Sequence, residues 1–354
     1  MTPRLCRGSR APVGWRAGLA SFLTGVLVVA ASAHAGGERN AAVTPGVETA
    51  VQPRSVGAWL ARMNEASRRR AYVGTVVVST GDSMASARIW HVCDGTQQLE
   101  RVVTLTGAPR TTFRRNDEVV TFFPQSMVVV TERRESLGLF PKLLRDGDEA
   151  VGQFYQARFV GHDRVAGLEA DVVLIEPRDR SRFGYRVWSE RSSGLVLRLQ
   201  TLSLEGQVLE QVAFSELQLD APVSLQTLAR MMDRTAGYRI ERSEPTSTTA
   251  LSEGWTLANP VPGFRSVSCQ RRSVAGVDGR VNQAAMQWVF SDGLATVSLF
   301  VQPYDPRLHA FENATVHGAT HTLTGRHGAW WVTAVGEAPL STLAGFAKGL
   351  ERTR

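Results

Sequence analysis

Three histidines near the C-terminus are the side chains in this sequence best placed to bind a metal ion. His317, His321 and His327 lie within eleven residues, and on a single strand His317 and His321 would point the same way, because positions four apart share a face. Interspersed glycines indicate a loose hairpin, however, and no Cys, Asp or Glu lies among the three histidines to complete a zinc-type ligand set. The pattern favours ordinary strand histidines, and we expect no metal site.

Asp146, Asp148 and Glu149 form an acidic group that could support acid–base chemistry. Catalytic carboxylates need different environments that separate their pKa values. This short polar run is typical of a solvated turn, where all three carboxylates would share the same environment. No phosphate loop, dinucleotide fingerprint, zincin helix or nucleophile elbow occurs in the 354 residues. The sequence therefore indicates a binding protein without a cofactor. A hydrolase, whose triad is defined by space and not by order, is the least favoured hypothesis.

The first 35 residues have the pattern of a secretory signal peptide. Four arginines precede a largely apolar run from Leu19 to Ala31, and Ala33 and Ala35 place small residues at the two positions that a signal peptidase reads. A retained membrane anchor is the alternative, but it needs about 20 apolar residues and this run is shorter. We expect cleavage after Ala35, which leaves a mature net charge of +3 from 36 basic and 33 acidic residues.

The positive charge of the mature chain is dispersed and almost entirely arginine. Only Lys142 and Lys348 are lysines. Guanidinium groups suit bidentate pairing with carboxylate or phosphate, although arginine-rich codon usage would give the same composition. Dispersed charge on an exported protein argues against nucleic-acid binding.

Cys93 and Cys269 are the two cysteines that remain after export. Disulfides persist in an oxidising compartment, and a bridge between these residues would stabilise the chain by about 5 kcal/mol in the chain-entropy model. The two residues lie in different predicted domains, so a bridge requires those domains to touch there. Two separately buried thiols are the alternative.

The elements that position these side chains are mainly β-strands. Between 158 and 219 hydrophobic and polar residues alternate in segments separated by turn sequences such as Ser192-Ser193-Gly194, which indicates an antiparallel meander. Ser55 offers an N-cap to a helix whose apolar residues Trp59, Leu60 and Met63 share a face. Earlier strands are expected at 72–79, 86–92, 98–105, 111–115, 118–123 and 126–131.

Composition shifts divide the chain into five parts. They are a signal peptide (1–35), a flexible lead-in (36–53), a first domain (54–219), a helix and linker (220–254) and a C-terminal α+β domain (255–354). The helix is predicted from Pro222 to Asp233, and the polar segment from Ser243 to Gly254 has no periodicity. A closing helix follows Pro339. Each of the two domains is long enough for a core of its own.

Aromatic residues of the first domain either fill its core or line a cavity for an acyl chain. Core filling is the commoner use of any single aromatic side chain, but a half-closed sheet too wide for its side chains to fill can hold an apolar ligand. The candidate cavity residues are Trp90, Phe113, Phe122, Leu174, Tyr185 and Trp188.

Longer motifs in both predicted domains carry a family resemblance. The first domain has His162-Asp163-Arg164-Val165-Ala166-Gly167, Pro177-Arg178-Asp179 and Arg182-Phe183-Gly184-Tyr185-Arg186-Val187-Trp188. The second has Phe290-Ser291-Asp292-Gly293-Leu294-Ala295 and Val332-Thr333-Ala334-Val335-Gly336-Glu337-Ala338-Pro339. Together they resemble the MucB/RseB family of periplasmic regulators of the envelope-stress sigma factor, over roughly residues 55–350.

The resemblance implies both a fold and a function. The implied fold is α+β: an N-terminal half-open antiparallel β-barrel with a helical lid, similar to the periplasmic lipoprotein carriers, plus a smaller C-terminal α+β domain. Family members bind the periplasmic part of a membrane-spanning anti-sigma factor and shield it from regulated proteolysis. They thereby repress the sigma-E-type response, and lipid or lipopolysaccharide fragments are thought to release them. A periplasmic lipid or lipoprotein carrier is the alternative, although a carrier does not need the second domain.

The second domain is the expected docking unit by resemblance. Residues 255–354 carry nine basic and six acidic groups, and arginines that meet acids of a partner would favour association. Arg271 and Arg272 are the candidate partner-binding residues. The sequence does not decide between a monomer and a homo-oligomer.

Export gives the first testable prediction. Because the arginines, the apolar run and the small residues before Gly36 form one signal, the mature protein should begin at Gly36. N-terminal sequencing of protein from the periplasmic fraction measures this directly. Retention of residues 1–35 would contradict the prediction.

Overall fold

The computed structural model describes residues 55–133, 150–243, 245–275, 281–309 and 311–353. The predicted signal peptide and lead-in, and the acidic group at 146–149, lie outside these residues. Within the described ranges none of the helices is both long enough and apolar enough to cross a membrane.

Most of the described chain lies in β-strands. The helices are α1 (Val56–Arg69), α2 (Val151–Phe154), α3 (Leu225–Met232) and α4 (Leu340–Gly349). The first sheet contains β1 (Tyr72–Thr80), β2 (Ser83–Cys93), β3 (Gln98–Thr104), β4 (Thr111–Arg115), β5 (Glu118–Phe123), β6 (Val128–Arg133), β7 (Tyr155–Val165), β8 (Leu168–Pro177), β9 (Gly184–Glu190), β10 (Val196–Leu202), β11 (Val208–Leu219) and β12 (Arg239–Ser243).

The second sheet is smaller. It contains β13 (Thr246–Ser247), β15 (Arg265–Ala275), β16 (Val281–Ser291), β17 (Thr296–Pro303), β18 (Asn313–His317), β19 (Thr320–His327) and β20 (Trp330–Gly336). A separate two-stranded sheet joins β14 (Trp255–Leu257) to β21 (Leu350–Arg352). The predicted combination of a large open sheet with a smaller C-terminal α+β unit is confirmed.

The first sheet is open. Its order is β12-β6-β5-β4-β3-β2-β1-β11-β10-β9-β8-β7, so the two end strands do not pair with each other. All neighbours are antiparallel except β12, which runs parallel to β6. β12 was not predicted, and it extends this sheet beyond the expected limit at 219. A short run of charged residues has no alternation strong enough to indicate a strand, so its position depends on pairing with β6.

Helix α1 covers one face of the first sheet. It begins at Ser55, whose Oγ accepts a hydrogen bond from Ala58 N at 3.2 Å, and Arg68 and Arg69 complement the helix dipole in its last turn. The buried side chains of Trp59, Leu60 and Met63 pack in one cluster with residues of β8, β9 and β10. Full burial of such side chains stabilises by about 1.5–3 kcal/mol each, so α1 is an integral part of this core.

Helix α3 covers the opposite face of the same sheet. Leu228 and Met232 pack on Leu99, Phe113 and neighbouring apolar residues of β2 to β6. Ser224 caps the helix by accepting a hydrogen bond from Thr227 N at 3.2 Å. The first sheet is therefore covered by helices on both faces, at different strands.

Helix α4 closes the second core. Leu343 and Phe346 are fully buried against residues of β16, β17 and β20. The helix follows Pro339, whose extended backbone precedes the first turn. Both the position and the buried face of this helix agree with the sequence pattern.

The segment predicted as a linker is folded where the structure describes it. β13 pairs with β15, Thr248 N donates to Cys269 O at 3.0 Å, and Ala250 is buried. Thr249 and Ser252 hydrogen-bond to each other through side chain and backbone. Ser and Thr side chains satisfy turn backbone in this way, so the polar composition reflects an ordered turn.

Candidate functional site

Two loops from different sheets meet at a buried ion pair. Arg182, in the loop between β8 and β9, has no exposed side-chain surface, and neither has Asp292, in the turn between β16 and β17. Arg182 Nη1 donates to Asp292 Oδ2 at 3.0 Å across 110 positions of sequence. The pair joins the first sheet to the second.

The carboxylate of Asp292 is fully engaged. Its Oδ1 accepts hydrogen bonds from Leu294 N at 2.9 Å and Ala295 N at 2.8 Å, which also fixes the turn. Its Oδ2 accepts a second bond from the hydroxyl of Tyr155 at 2.9 Å. Burial together with these acidic and aromatic neighbours raises the pKa of Tyr155 well above its usual value, so the phenol stays a donor.

The guanidinium of Arg182 is equally well satisfied. It donates to Asp179 Oδ1 at 3.0 Å and to the carbonyl of Pro262, and it lies 4.5 Å from the ring centroid of Phe154 and 5.2 Å from that of Phe264. Planar stacking of this kind is available to arginine and not to lysine. The site therefore specifies arginine.

Gly263 makes room for this arginine. It has a φ of +85°, and a Cβ at this position would come within 2.9 Å of Arg182 Nη1 and 2.8 Å of a Phe154 ring carbon. Leu294, two residues after Asp292, is buried in the same cluster as the α1 residues Trp59 and Leu60. The second sheet thus contributes a side chain to the core of the first.

A second contact between the sheets lies at the tip of the β18–β19 hairpin. Gly318, with a φ of +58°, lies directly against Thr80 and Glu210 at the ends of β1 and β11. His321 is buried, and its ring meets that of Phe183 edge to face at 5.3 Å. Burial lowers the pKa of His321, which favours a neutral imidazole.

Two glutamates are desolvated at this second contact. Burial raises the pKa of Glu337, and the charge of Glu210 raises it further. Burial also raises the pKa of Glu210, although a hydrogen bond from Ala319 N and the charge of His317 act in the opposite direction. At the hairpin contact, burial therefore acts against the charged form of both carboxyls.

The three histidines lie on a hairpin, as the interspersed glycines indicate. His317 ends β18 and His321 belongs to β19, because Gly318 and Ala319 form the hairpin turn between them. His327 lies at the far end of β19 beside Trp255. No group of three metal-type ligands occurs among the residues that the structure describes.

The six candidate cavity residues do not line one cavity. Tyr185 is buried beneath α1, whereas Trp188 packs on the opposite face of β9, where its Nε1 donates to Asp163. Leu174 is half-buried and pairs with Arg158 and Arg186. The other three belong to the core beneath α3, namely Phe113, Phe122 and the flanking Trp90. Sequence pattern could not assign them to faces, because aromatic residues occur on both.

Arg271 and Arg272 do not form a joint patch. They are neighbours on β15 and so point to opposite faces of the second sheet. Arg271 already forms an ion pair with Glu253, which lowers the pKa of that carboxyl, whereas Arg272 donates to Gln287 Oε1 at 3.1 Å.

The bridge considered for Cys93 and Cys269 is not formed. Both are free thiols. Cys93 Sγ donates to Arg69 O at 2.9 Å at the end of α1, while Cys269 packs against the second core and burial raises its pKa to about 11.

Comparison with known proteins covers both sheets. The family model of the MucB/RseB N-terminal domain matches residues 55–232, and that of the MucB/RseB C-terminal domain matches residues 249–351. The chain belongs to the MucB/RseB family. The family resemblance of the sequence motifs is thereby confirmed.

Curated MucB/RseB relatives align over most of the chain. The Pseudomonas aeruginosa protein named sigma factor AlgU regulatory protein MucB is 29% identical over 303 residues, 83% of this chain and 90% of the relative. The Escherichia coli K12 protein named sigma-E factor regulatory protein RseB is 26% identical over 334 residues, 94% and 96% of the two chains.

Solved MucB structures share the fold. The complex structure of Pseudomonas aeruginosa MucA/MucB contains a chain 25% identical to this one, with a TM-score of 0.64 over 84% of this chain and 99% of that chain. A crystal structure of MucB in complex with MucA(peri) also aligns with a TM-score of 0.64, at 24% identity, over 84% and 98%. The arrangement of two sheets is thus shared with solved members of the MucB/RseB family.

The junction was missed by sequence reasoning. Arg182 and Asp292 both lie inside motifs that carry the MucB/RseB resemblance, but a single sequence does not say which motifs touch. In each loop the sequence places a charged residue beside aromatic and glycine residues. This pattern indicates a buried ion pair only when the two loops are known to touch.

Removal of either partner of the buried pair should destabilise the protein strongly. We expect Arg182→Met and Asp292→Asn each to lower the free energy of unfolding by about 3–5 kcal/mol, because the remaining group loses its partner in a dry site. The double variant should cost clearly less than the sum. Urea unfolding of the full chain measures all three, with the exposed helix residue change Glu65→Ala as the control. Additive effects would show that the two groups do not interact.

Glu337 should make the protein less stable at neutral pH than at mildly acidic pH. Its folded pKa is above the ordinary value of 4.5, so its contribution to stability is fully present below that value and is lost as pH rises through the folded pKa. Glu337→Gln should therefore raise the urea midpoint at pH 7, and the gain should vanish near pH 4. Glu351→Gln, at an exposed position, is the control for loss of a surface carboxylate. A loss of stability in Glu337→Gln at pH 7 would contradict this sign.

Proposed function

We propose that this protein binds the periplasmic part of a membrane-spanning anti-sigma factor, shields it from regulated proteolysis and so represses a sigma-E-type envelope-stress response. The observation that carries the proposal is the match of both MucB/RseB domain models to one chain. Relatives of similar length are named sigma-factor regulatory proteins. The proposed role is that of a periplasmic binding protein and not of an enzyme.

The geometry supports a role in binding a polypeptide. The Arg182–Asp292 pair and the shared α1 core join two sheets into one body, so a flexible partner segment would lie against a preformed surface that spans both. A segment that folds on binding favours a large, partly polar surface. The second sheet is the proposed docking unit, with Arg271 and Arg272 as charges on its two faces.

A lipid or lipopolysaccharide fragment is the proposed releasing ligand, at the α1 face of the first sheet. Support comes from the open sheet and from the hydroxyl of Tyr185, which is buried beneath α1 without a hydrogen-bond partner among the described residues. Since that core is packed, an acyl chain would have to displace part of α1. If the protein binds lipid at this site, it could alternatively be a lipid or lipoprotein carrier. Such a carrier, however, has no use for a second folded sheet joined to the first.

Partner binding is the decisive test of the proposed function. The full-length mature protein should bind the periplasmic part of the anti-sigma factor encoded in the same genome, and salt should weaken binding. Because an exposed ion pair contributes up to about 1 kcal/mol, reversal of one docking arginine should weaken the affinity by up to about five-fold. Arg271→Glu and Arg272→Glu, measured separately, report on opposite faces of the sheet, and Arg239→Glu on the first sheet is the control.

Genetic deletion supplies the matching test in cells. Loss of the gene should raise the envelope-stress response, because the anti-sigma factor is then cleaved more readily. If the purified protein bound no anti-sigma factor at low salt and the deletion left the response unchanged, the regulator proposal would be wrong and the carrier alternative would replace it.

Lipid uptake tests the proposed ligand independently. The folded protein should take up a fluorescent fatty acid, and Tyr185→Phe should weaken uptake several-fold if the buried hydroxyl meets the ligand. Tyr185→Phe should not destabilise the free protein, since the hydroxyl has no partner to lose. Tyr304→Phe, at the residue directly after β17, is the control. No uptake by a folded sample would remove the lipid ligand and leave the partner proposal intact.

A further inference from the structure

The edge strand β18 has none of the features that usually protect a sheet edge. All five residues from Asn313 to His317 are exposed, and none of them is Lys, Arg, Asp, Glu, Pro or Gly. The pairing with β19 runs without a bulge. Proteins normally protect an edge with charges, proline, a bulge or very short strands, because free backbone groups accept further strands.

The other edges of the two main sheets are protected. β7 has a register shift between Phe159 and Gly161 and carries Arg158, Asp163 and Arg164. β12 has three charged residues in five, and β13 is two residues long. Among the described strands, β18 therefore differs from every other edge of these sheets.

The backbone of β18 presents pairing groups to the outside. Asn313 N donates to Thr324 Oγ1 at 3.1 Å, and Asn313 O accepts from the same hydroxyl at 3.2 Å, so the backbone of Asn313 faces β19. Successive residues of a strand direct their backbone groups to alternate sides. The N–H and C=O groups of Ala314 and Val316 consequently point away from the sheet.

Exposed apolar side chains accompany this free edge. Phe311 is 83% exposed, Val316 57% and Leu308 45%. Val316 lies opposite the buried His321, and Ala314 lies opposite Leu323, which packs on the α4 core. A strand added beside β18 would extend this apolar face.

We propose, building on the function proposed above, that β18 receives an extended segment of the anti-sigma factor's periplasmic part as an eighth strand of the second sheet. The segment is uncharged where it faces Ala314 and Val316, because a charge there would be desolvated without a partner. Its side chains also cover Phe311. A peptide held as a sheet strand has its backbone groups already bonded, which withholds them from a protease.

The structure favours a segment of another chain over a second copy of this one. Antiparallel self-pairing centred on Thr315 would place Phe311 of one copy opposite Ala319 of the other. Ala319 is buried in the hairpin turn that packs on the first sheet of its own chain. A second copy therefore cannot cover Phe311, whereas a longer extended segment can.

The test uses a proline substitution at an outward-facing position. Ala314→Pro in the full-length mature protein removes one outward N–H and leaves the pairing with β19 in place. It should weaken binding of the anti-sigma factor's periplasmic part by about ten-fold or more, because the hydrogen bond from the Ala314 N–H to the added strand is lost and the adjacent strand-pairing bonds are disturbed. Ala314→Ser keeps the N–H and should bind as the wild type does. Thermal unfolding confirms that both variants are folded.

Amide exchange by NMR gives a second measurement that needs no variant. The amides of Ala314 and Val316 should exchange rapidly in the free protein and become protected in the complex, while those of Thr315 and His317 are protected in both. Suppose that the wild type binds the segment, Ala314→Pro binds equally well, and both outward amides stay unprotected. β18 is then not the docking strand, and the proposed function still stands. Protection of these amides by self-association alone would also overturn the inference. Failure of the wild type to bind at low salt overturns this inference and, together with an unchanged stress response in the deletion strain, also the proposed function.

Discussion

The structure depends on one buried ion pair between its two main sheets. An arginine and an aspartate without solvent contact would each carry a large desolvation cost alone, and here every polar atom that the pair presents has a partner on one sheet or the other. The pair can therefore exist only when the β8–β9 loop, the turn after β16 and the segment around Pro262 are all in place. This requirement makes the relative position of the sheets specific.

The apolar contacts at the junction follow from the same constraint. Once Asp292 is held by Arg182, Leu294 lies two residues away and enters the core beneath α1. The helix, the first sheet and the turn of the second sheet are thereby parts of one core. In the described residues β18 is the last strand of the second sheet, so one side of its backbone is free of strand pairing.

Local pattern predicted the elements well, whereas the contacts between distant parts lay beyond it. β4 and β5 begin and end at the predicted residues, and α1 buries the face that its periodicity indicates. These features depend on residues close in sequence. β12 was not predicted because it becomes a strand only by pairing with β6. The segment at 245–254 was interpreted as a linker because Ser and Thr are common both in exposed linkers and in ordered turns.

The candidate site shows the same division. The aromatic residues were recognised, and the sequence left core filling and a cavity as alternatives. The structure distributes them among separate cores, since a sheet covered by helices on both faces needs large apolar side chains on both. The arginine pair was chosen by charge, and strand alternation separates its members. Arg182 and Asp292, the central residues of the junction, both lie within the sequence motifs. Only the fold brings Arg182 Nη1 to within 3.0 Å of Asp292 Oδ2, across 110 positions of sequence.

Burial raises the pKa of a carboxyl at both contacts between the sheets, that of Asp292 as well as those of Glu210 and Glu337, but the contacts differ in what compensates the burial. At Arg182 burial is offset by an opposite charge and five further hydrogen bonds, so this end holds the sheets firmly. At the hairpin tip two carboxyls lose water close to each other, and the raised pKa values of Glu210 and Glu337 record that cost. The hairpin that carries β18 is thus attached through the weaker contact. This position suits an edge strand that accepts a partner. The β18–β19 hairpin can shift slightly when the partner binds, while the ion pair and the α1 core stay undisturbed.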